Sequence, residues 1–304
     1  MAGAVEGDRV EDLRRARAGG SAAPRRGPER GAVTSSDDPA GDRPAAAPTG
    51  RITSSTTDGV ATLVIDNVGK HNAVTGPMWD QLGAVLDELR ERDDLRLLVV
   101  RGAGGVFSSG ADLNEVLAAT QGREAATRFC TRVATALLSL VRFPSPTLAV
   151  LERHVAGGGA EIALACDLRV ARDDVTFQIP MARLGVVPDH VTARRLAQVA
   201  GPATARSVLL LGRSFDAQEC LRRGLVEDVL PPETVDEHLA RTAQTFRSLS
   251  TYSVTRTKAL MLGHEAWDQK GLVDEMVASF LHGDVAANAR AFLRQRAARR
   301  APTS

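Results

Sequence analysis

The sequence is poor in aromatic side chains, cysteines and long apolar runs. Aromatic residues make up 4% of the 304 residues, and the three cysteines, Cys130, Cys166 and Cys220, lie far apart without the spacing of a metal site or a disulfide. We expect these cysteines to be small buried hydrophobic residues in a reducing compartment. No apolar run reaches the ~20 residues that span a bilayer, so we expect no membrane partner.

The sequence also lacks an excess of charge of either sign. Lysine and arginine number 38 and aspartate and glutamate 37, so no overall field draws the chain to nucleic acid or to an anionic membrane. The first 50 residues are rich in Ala, Gly, Pro and Arg and contain almost no large apolar side chains. Because such a segment buries too little surface to offset its ordering entropy, we predict a disordered leader over residues 1–50.

This leader has the features of neither an export signal nor an import signal. It lacks the apolar segment of a signal peptide, and its frequent acidic residues are atypical of a transit peptide. We therefore expect a cytoplasmic protein.

From residue 51 onward the sequence predicts a folded protein of the α/β class. The hydrophobic content of 43% is ample for one large core. Apolar and β-branched runs predict strands over residues 52–56, 59–67, 95–101, 147–151 and 225–230, the first two as a hairpin. Helical spacing of apolar residues predicts helices over residues 75–90, 123–140, 192–200, 202–211, 217–223, 234–249, 253–263, 272–281 and 285–296. We expect the apolar stripes of the last four helices to face the core or a subunit interface.

Two strand, glycine turn, helix elements lie about fifty residues apart. In the first, a glycine-rich loop ends at Gly110 and a helix is predicted to start around Ala111 to Asp112. In the second, the strand before Gly157 leads through three glycines into an apolar helix. One such turn is most often an ordinary loop. Two turns with matching flanks would place two free backbone N–H groups on one oxygen, as an enolate or a tetrahedral intermediate needs.

The motifs at these turns resemble those of the enoyl-CoA hydratase/isomerase (crotonase) family. The resemblance rests on V-F-S-S-G-A-D-L at residues 106–113 and G-G-G-A-E-I-A-L-A-C-D-L-R-V-A at residues 157–171. It continues through L-G-V-V-P-D at residues 184–189 and covers about residues 51–296. It implies a crotonase-type spiral of β-β-α units over residues 51–248 and a C-terminal helical region over residues 249–304 that packs in trimers, usually as a dimer of trimers.

The resemblance also implies an acyl-CoA substrate and assigns the site. The thioester oxygen would be held by the amides of Ala111 and Gly158, with Glu161 at the position of the hydratase glutamate that activates water. The surrounding substrate-binding positions would be Ser109, Gly110, Asp112, Gly157 and Met181. No metal is implied, and no cofactor other than the coenzyme A that is part of the substrate. A carboxylate that only complements a helix dipole is the alternative role for Glu161.

The second hydratase glutamate is missing from this sequence. Hydratases carry it in a stretch like F-G-x-P-E, whereas here F-Q-I-P-M places Met181 at that position. A thioether neither donates nor accepts the proton required, so hydration by paired glutamates is in doubt. Asp189 offers another carboxylate, at a position where dienoyl-CoA isomerases carry a catalytic aspartate and 4-chlorobenzoyl-CoA dehalogenases a nucleophilic one. A helix cap ahead of Thr192 is an equally good reading of Asp189.

Two further departures from the family pattern affect the surroundings of the site. Glu152 and Arg153 replace the usual N-G before the glycine run, which is expected to shift the strand end. Asn114 replaces a lysine that relatives use on the coenzyme A phosphates. We expect the remaining candidates for that task, Lys70, Arg101 and Lys258, to be surface charges.

The sequence therefore predicts an acyl-CoA enzyme that hydrates or isomerises an enoyl-CoA through a thioester enolate. Two alternatives remain open at this point. One is chemistry that uses Asp189, as in a dienoyl-CoA isomerase or in a hydrolase or dehalogenase, and the other is an inactive crotonase-fold binding module.

Overall fold

The computed structural model describes residues 50–262 and five isolated positions beyond them, Val277, Ala278, Val285, Arg290 and Arg294. The disordered leader predicted before residue 50 lies outside the described residues. So do the helices predicted over residues 272–281 and 285–296, apart from those positions. Among the described residues, no helix is long and apolar enough to cross a membrane.

Nine strands form two sheets within residues 50–262. They are β1 (Arg51–Thr57), β2 (Val60–Asp66), β3 (Leu97–Gly102), β4 (Thr147–Leu151), β5 (His154–Ala156), β6 (Leu168–Arg172), β7 (Thr176–Gln178), β8 (Ser214–Asp216) and β9 (Asp228–Leu230). The larger sheet has the order β1-β2-β3-β4-β6-β9, and the smaller has the order β5-β7-β8. In the larger sheet only the β1–β2 hairpin is antiparallel, and the other neighbours are parallel.

Helices follow the strands and cover the larger sheet. The α-helices of the same range are α1 (Gly76–Arg90), α2 (Leu113–Ala119), α3 (Arg123–Val141), α4 (Gly158–Ala165), α5 (Met181–Leu184), α6 (His190–Leu211), α7 (Ala217–Arg222), α8 (Val235–Ser248) and α9 (Thr251–Leu262). The β-β-α order recurs as β1-β2-α1, β4-β5-α4 and β6-β7-α5. Because parallel neighbours need long crossovers, helices α1 to α4 return the chain between successive parallel strands of the larger sheet.

The predicted elements are largely confirmed, and the differences have local causes. The β1–β2 hairpin turns through Asp58 and Gly59, both at positive φ, which is the backbone that two-residue hairpins favour. The helices predicted over residues 192–200 and 202–211 are one element, α6, interrupted where Gly201 adopts a non-helical conformation before Pro202. The strand predicted over residues 225–230 is shortened to β9.

The strand end at Arg153, where the sequence predicts a shift, has an unusual backbone, and the shift stays a prediction. Arg153 adopts the left-handed conformation, with φ of 50°. Its side chain lies 3.7 Å from Asp174, and its carbonyl accepts a hydrogen bond from the Thr176 amide. Strand β5 starts at His154 and ends at Ala156, directly before the glycine run.

Candidate active site

The two glycine turns lie side by side at the carboxyl edge of the sheets. The Ser108 amide donates to the His154 carbonyl, and the Ala156 amide donates back to the Ser108 carbonyl, each over 3.0 Å. This parallel bridge fixes the loop before Ala111 against the strand before Gly157. Segments that are some fifty residues apart in the sequence thereby form one surface.

The Ala111 amide has no hydrogen-bond acceptor within the described part of the chain. Val74 donates to the Gly110 carbonyl over 2.7 Å and accepts from the Asp112 amide over 2.9 Å. In this parallel bridge the residue between Gly110 and Asp112 turns its own N–H away from Val74. The donor of Ala111 is therefore available to a ligand.

The Gly158 amide is free for a different reason. Gly158 is the first residue of α4, so its N–H has no carbonyl four residues earlier to bond within the helix. Its neighbour Gly157 donates to the Gln178 carbonyl over 3.1 Å, and Glu161 donates to the Gly157 carbonyl over 3.0 Å. No acceptor for the Gly158 donor exists among the described residues.

Close backbone approach explains the glycines of this site. A Cβ on Gly110 would lie 2.7 Å from the Ala156 carbonyl oxygen and 3.2 Å from the Gly158 nitrogen. A Cβ on Gly158 would lie 3.1 Å from the Ala111 nitrogen. Only glycine allows this contact, and Gly157 with φ of 46° also needs the freedom of glycine. The two free amides therefore lie close enough to serve one oxygen.

The two amides border a cavity of about 610 Å³. All nine residues that the sequence assigned to the site line this cavity: Ser109, Gly110, Ala111, Asp112, Gly157, Gly158, Glu161, Met181 and Asp189. The structure thus brings the predicted residues together, while their roles stay predictions.

Glu161 is the most perturbed carboxyl group of the cavity. It lies in the first turn of α4, with 4% of its surface exposed. Burial and, next, the charge of Asp189 raise the pKa of Glu161 to about 8, against the hydrogen bond from Thr192 that lowers it. At neutral pH Glu161 therefore carries a proton, despite the helix dipole that favours an anion at this end.

Asp189 is the helix cap predicted for it, and its catalytic role stays a prediction. It is the N-cap of α6, with one carboxylate oxygen accepting from the Thr192 amide over 3.0 Å and the other from the Thr192 hydroxyl over 2.6 Å. It also lines the cavity beside Glu161. His190, by contrast, is exposed and is not among the cavity residues.

At the mouth of the cavity, Asp112 is engaged with protein partners. It caps α2 by accepting from the Asn114 amide over 2.8 Å, and its other oxygen accepts from the Lys70 ammonium over 2.7 Å. The hydrogen bond from Lys70 is the main reason why the pKa of Asp112 is lowered. Ser109 donates its hydroxyl to the Lys70 carbonyl over 3.2 Å. Lys70 is exposed, as expected of a surface charge, and it also belongs to the cavity wall.

The rest of the cavity wall is mainly apolar. Met181 is the first residue of α5 and forms one side of the wall. The indole of Trp79 lies against Gly158, and a Cβ on Gly158 would be 3.0 Å from the Trp79 ring. Sequence reasoning assigned no place to most of the remaining wall, which includes Leu113, Val116, Cys130, Val133, Gln178, Leu184, Val186 and Val187. These side chains come from four separate segments, so no local motif connects them.

Three expectations need correction. Cys166 and Cys220 are buried as expected, but Cys130 is exposed and lines the cavity. Lys258 is no surface charge, because it is 8% exposed and pairs with Asp167 over 2.6 Å. Arg101 is partly buried and lies between Glu152 and Asp236, away from the cavity. Within the described chain, no group of three or more His, Cys, Asp or Glu side chains could hold a metal ion.

Comparison with known proteins identifies the family of the chain. The family model for enoyl-CoA hydratase/isomerase matches residues 55–295. EchA17 of Mycobacterium tuberculosis, named as a probable enoyl-CoA hydratase, is 31% identical over 189 residues, which are 62% of this chain and 71% of that protein. The mitochondrial enoyl-CoA hydratase domain-containing protein 3 of Rattus norvegicus is 30% identical over 202 residues, covering 66% of this chain and 67% of that protein.

Solved structures show the same fold. An enoyl-CoA hydratase/isomerase family protein from Hyphomonas neptunium superposes with a TM-score of 0.75 at 28% identity, covering 80% of this chain and 95% of that chain. Human enoyl-CoA hydratase domain-containing protein 3 superposes with a TM-score of 0.72 at 26% identity, covering 83% of this chain and 99% of that chain. The predicted crotonase-type α/β fold is confirmed. The chain belongs to the enoyl-CoA hydratase/isomerase family, whose members act on acyl-CoA substrates.

Proposed function

We propose that the protein isomerises the double bond of an enoyl-CoA thioester through an enolate, with Glu161 and Asp189 moving the protons. The observation that carries this proposal is the pair of unlike carboxyl groups in one cavity. Glu161 holds a proton to about pH 8, and Asp189 lies beside it as the capping carboxylate of α6. One acid and one base in reach of the same substrate are what a proton shift needs.

The free amides of Ala111 and Gly158 supply the electrostatic part. As a proton leaves the carbon next to the thioester, negative charge develops on the carbonyl oxygen. Two amide donors already oriented toward this oxygen stabilise the enolate more than the neutral carbonyl. Because the cavity wall is largely apolar, little water competes for the same oxygen.

The proton balance closes within the pair of carboxyl groups. With a 3-enoyl thioester, the Asp189 carboxylate takes a proton from C2, and the electron pair of the broken C–H bond delocalises into a dienolate. Glu161 then donates its proton at C4 as the double bond settles between C2 and C3. Asp189 is left protonated and Glu161 ionised, and transfer of one proton between the two neighbours restores the starting state.

Hydration is the second candidate, because the similar proteins EchA17 of M. tuberculosis and the rat protein carry hydratase in their names. Two features argue against it here. Met181 stands where a second carboxylate is needed, and a protonated Glu161 cannot accept a proton from water at neutral pH. A binding module without activity has no need of two free amides beside a proton donor.

Product analysis decides among these reactions. The purified protein is incubated with crotonyl-CoA, a 3-enoyl-CoA and a dienoyl-CoA, and the products are separated and identified. We expect isomerisation of the 3-enoyl substrate that falls about 100- to 10,000-fold in Glu161→Gln and in Asp189→Asn, and slow hydration that rises in Met181→Glu. Rapid hydration of crotonyl-CoA that survives Glu161→Gln would overturn the proposal. A covalent adduct on Asp189 would favour the nucleophilic alternative.

We also propose that the substrate brings coenzyme A as its own carrier, without a further cofactor, and that the protein assembles as a homotrimer or a dimer of trimers. Family resemblance and the helical C-terminal sequence support this assembly. Light scattering coupled to size-exclusion chromatography measures the mass directly, and a stable monomer would contradict it.

A further inference from the structure

Helices α4 and α6 carry the two carboxyl groups and touch at two places. The first contact lies at their N-terminal ends, where Asp189 and Thr192 of α6 meet Glu161 of α4. The second lies at the C-terminal end of α4, where Arg195 of α6 donates Nε to the Leu164 carbonyl over 3.0 Å and Nη2 to the Cys166 carbonyl over 2.8 Å. The two contacts are separated along α6 by about 9 Å, or nearly two helical turns.

The second contact is rigid for a chemical reason. A guanidinium group is planar and presents its donors in a fixed fork, so two bonds to two carbonyls set the direction of the helix that carries it. Leu164 and Cys166 are fully buried, so their carbonyls have no alternative partner in water. Sliding or tilting of α6 would therefore break both bonds at once.

Arg195 supplies the donor for the Leu164 carbonyl, whereas the Cys166 carbonyl that it also bonds already has another donor. Arg169, on strand β6, already donates to the Cys166 carbonyl over 2.9 Å and to the Asp167 carbonyl over 3.1 Å. A second guanidinium beside it is unfavourable, because burial and the positive charge of Arg169 both lower the pKa of Arg195. The feature that distinguishes Arg195 from Arg169 is its place on the helix that begins at Asp189.

We propose that Arg195 is a positioning residue, which holds the N-terminus of α6 against α4 so that Asp189 stays beside Glu161. This inference rests on the proposed function, since it gives the distance between the two carboxyl groups a catalytic meaning. Arg195 touches neither the cavity nor the free amides and acts only through α6. Arg195 thereby sets the distance between the two carboxyl groups that move the protons.

Charged groups around both contacts are few. Asp189 is the charged group that acts on Glu161, and the other titratable side chains of the cavity wall are Lys70, Asp112 and Cys130. Arg195 is faced by Arg169, Asp167, Cys166 and Lys258. Arg195 is not among the groups that shift Glu161, so loss of its charge alone leaves the titration of Glu161 in place.

The test compares Arg195→Lys and Arg195→Gln with Arg206→Gln, a change at an exposed position further along the same helix. Lysine keeps the charge but loses the two-carbonyl fork. We expect kcat for isomerisation to fall about 10- to 100-fold in both Arg195 variants, with KM within about 3-fold, because a small misplacement of reacting groups has effects of this size. Arg206→Gln should retain wild-type kinetics.

A second readout separates positioning from mere stability. Separation of α6 from α4 would remove both causes of the raised Glu161 pKa, so the carboxyl signal of Glu161 in difference infrared spectra should titrate at least about one pH unit lower in Arg195→Lys. Glu161→Gln identifies that signal. Lowered thermal stability with unchanged kcat and unchanged titration would show a structural role only and overturn the proposal. If Arg195→Gln fails to fold, Arg195→Lys gives the same answer.

A double-mutant comparison closes the test. If Arg195 acts through Asp189, adding Arg195→Lys to Asp189→Asn should lower kcat by less than about 3-fold more, whereas independent effects would multiply. The infrared titration needs no substrate. It therefore tests the position of Asp189 even if the wild-type protein turns over none of the enoyl-CoA substrates, a result that would refute the proposed function alone.

Discussion

The backbone polar groups at the two ends of helix α4 differ in whether the rest of the described chain satisfies them. At the C-terminal end, Arg169 and Arg195 donate four hydrogen bonds to the carbonyls of Leu164, Cys166 and Asp167. At the N-terminal end, the Gly158 amide faces the cavity without an acceptor from the described residues. A helix whose buried polar groups are satisfied at one end and left free at the other has a place for a ligand at the free end.

Charge shows the same contrast. The C-terminal end holds two cations, as the helix dipole favours. The N-terminal end would favour an anion, yet burial and Asp189 keep Glu161 protonated to about pH 8. This arrangement gives no favourable charge–dipole interaction at neutral pH, which supports the proposal that Glu161 takes part in proton transfer.

The largest expected effect is that of Glu161→Gln at the N-terminal end. Removal of the proton donor should lower kcat about 1000-fold, within the usual range for acid–base catalysis. Stability should change in the other direction. The unfolded chain ionises from about pH 4.5 while the folded chain keeps its proton to about pH 8, so wild-type stability falls as pH rises through this window.

Glutamine at position 161 has no charge to bury. We therefore expect Glu161→Gln to exceed the wild type in free energy of unfolding by roughly 3 to 5 kcal/mol at about pH 9, and to match it at about pH 4. Urea unfolding at the two pH values measures the difference. Equal stability at both values would show that the carboxyl group is solvated rather than buried.

The next prediction distinguishes the contribution of the Gly158 N–H group from that of the missing side chain at this position. Proline is tolerated at the first position of a helix, so Gly158→Pro should leave α4 in place while it removes the N–H group. We expect kcat/KM to fall about 100-fold, as for loss of one oxyanion donor. Gly158→Ala is the matched control, since it keeps the N–H and adds a methyl group against Trp79 and the Ala111 nitrogen, as proline also does. Equal losses in both variants would point to crowding by the added Cβ.

At the C-terminal end the expected effect is on stability. Arg169 is 2% exposed, and Arg169→Gln would leave the Leu225 and Asp167 carbonyls without their donor and Glu227 without its ion pair. We expect a loss of about 3 kcal/mol in free energy of unfolding, with kcat of the folded protein within about 3-fold of wild type. A large fall in kcat at full stability would erase the contrast between the two ends of the helix.

The smallest effect is expected at Arg153, on the strand that leads into α4. Its φ of 50° is strained for arginine and relaxed for glycine. Arg153→Gly should raise the free energy of unfolding by about 0.5 kcal/mol, since part of the relief is offset by the entropy of glycine and by loss of the contact with Asp174. Thermal unfolding resolves this change, and a clear decrease would show that the contact with Asp174 outweighs the strain.

Sequence reasoning reached those parts of the site that a local pattern defines. The two glycine turns follow from a strand, a glycine run and a helix in succession, whereas the choice of Ala111, Gly158 and Glu161 within them is implied by the family resemblance. Asp189 stands directly before a helix, so its capping role was readable from Thr192 three residues later. Strands and helices with regular apolar spacing, such as α1 and β2, were found for the same reason.

Contacts between residues far apart in the sequence could not be predicted. Lys258 becomes buried only because Asp167, about ninety residues earlier, lies under α9. Arg195 meets the end of α4 across about thirty positions of sequence. The exposure of Cys130 depends on the cavity between α3 and its neighbours, which no spacing within α3 reveals. In each case the partner is chosen by the packing of distant segments.

The pH dependence of kcat/KM for isomerisation of a 3-enoyl-CoA tests the central claim most directly, because it reports the pKa of the essential acid in the free enzyme. A proton donor at Glu161 predicts a rate that is constant at neutral pH and falls as pH rises through about 8. A rate that instead rises through about 8 would make Glu161 a base and contradict the account.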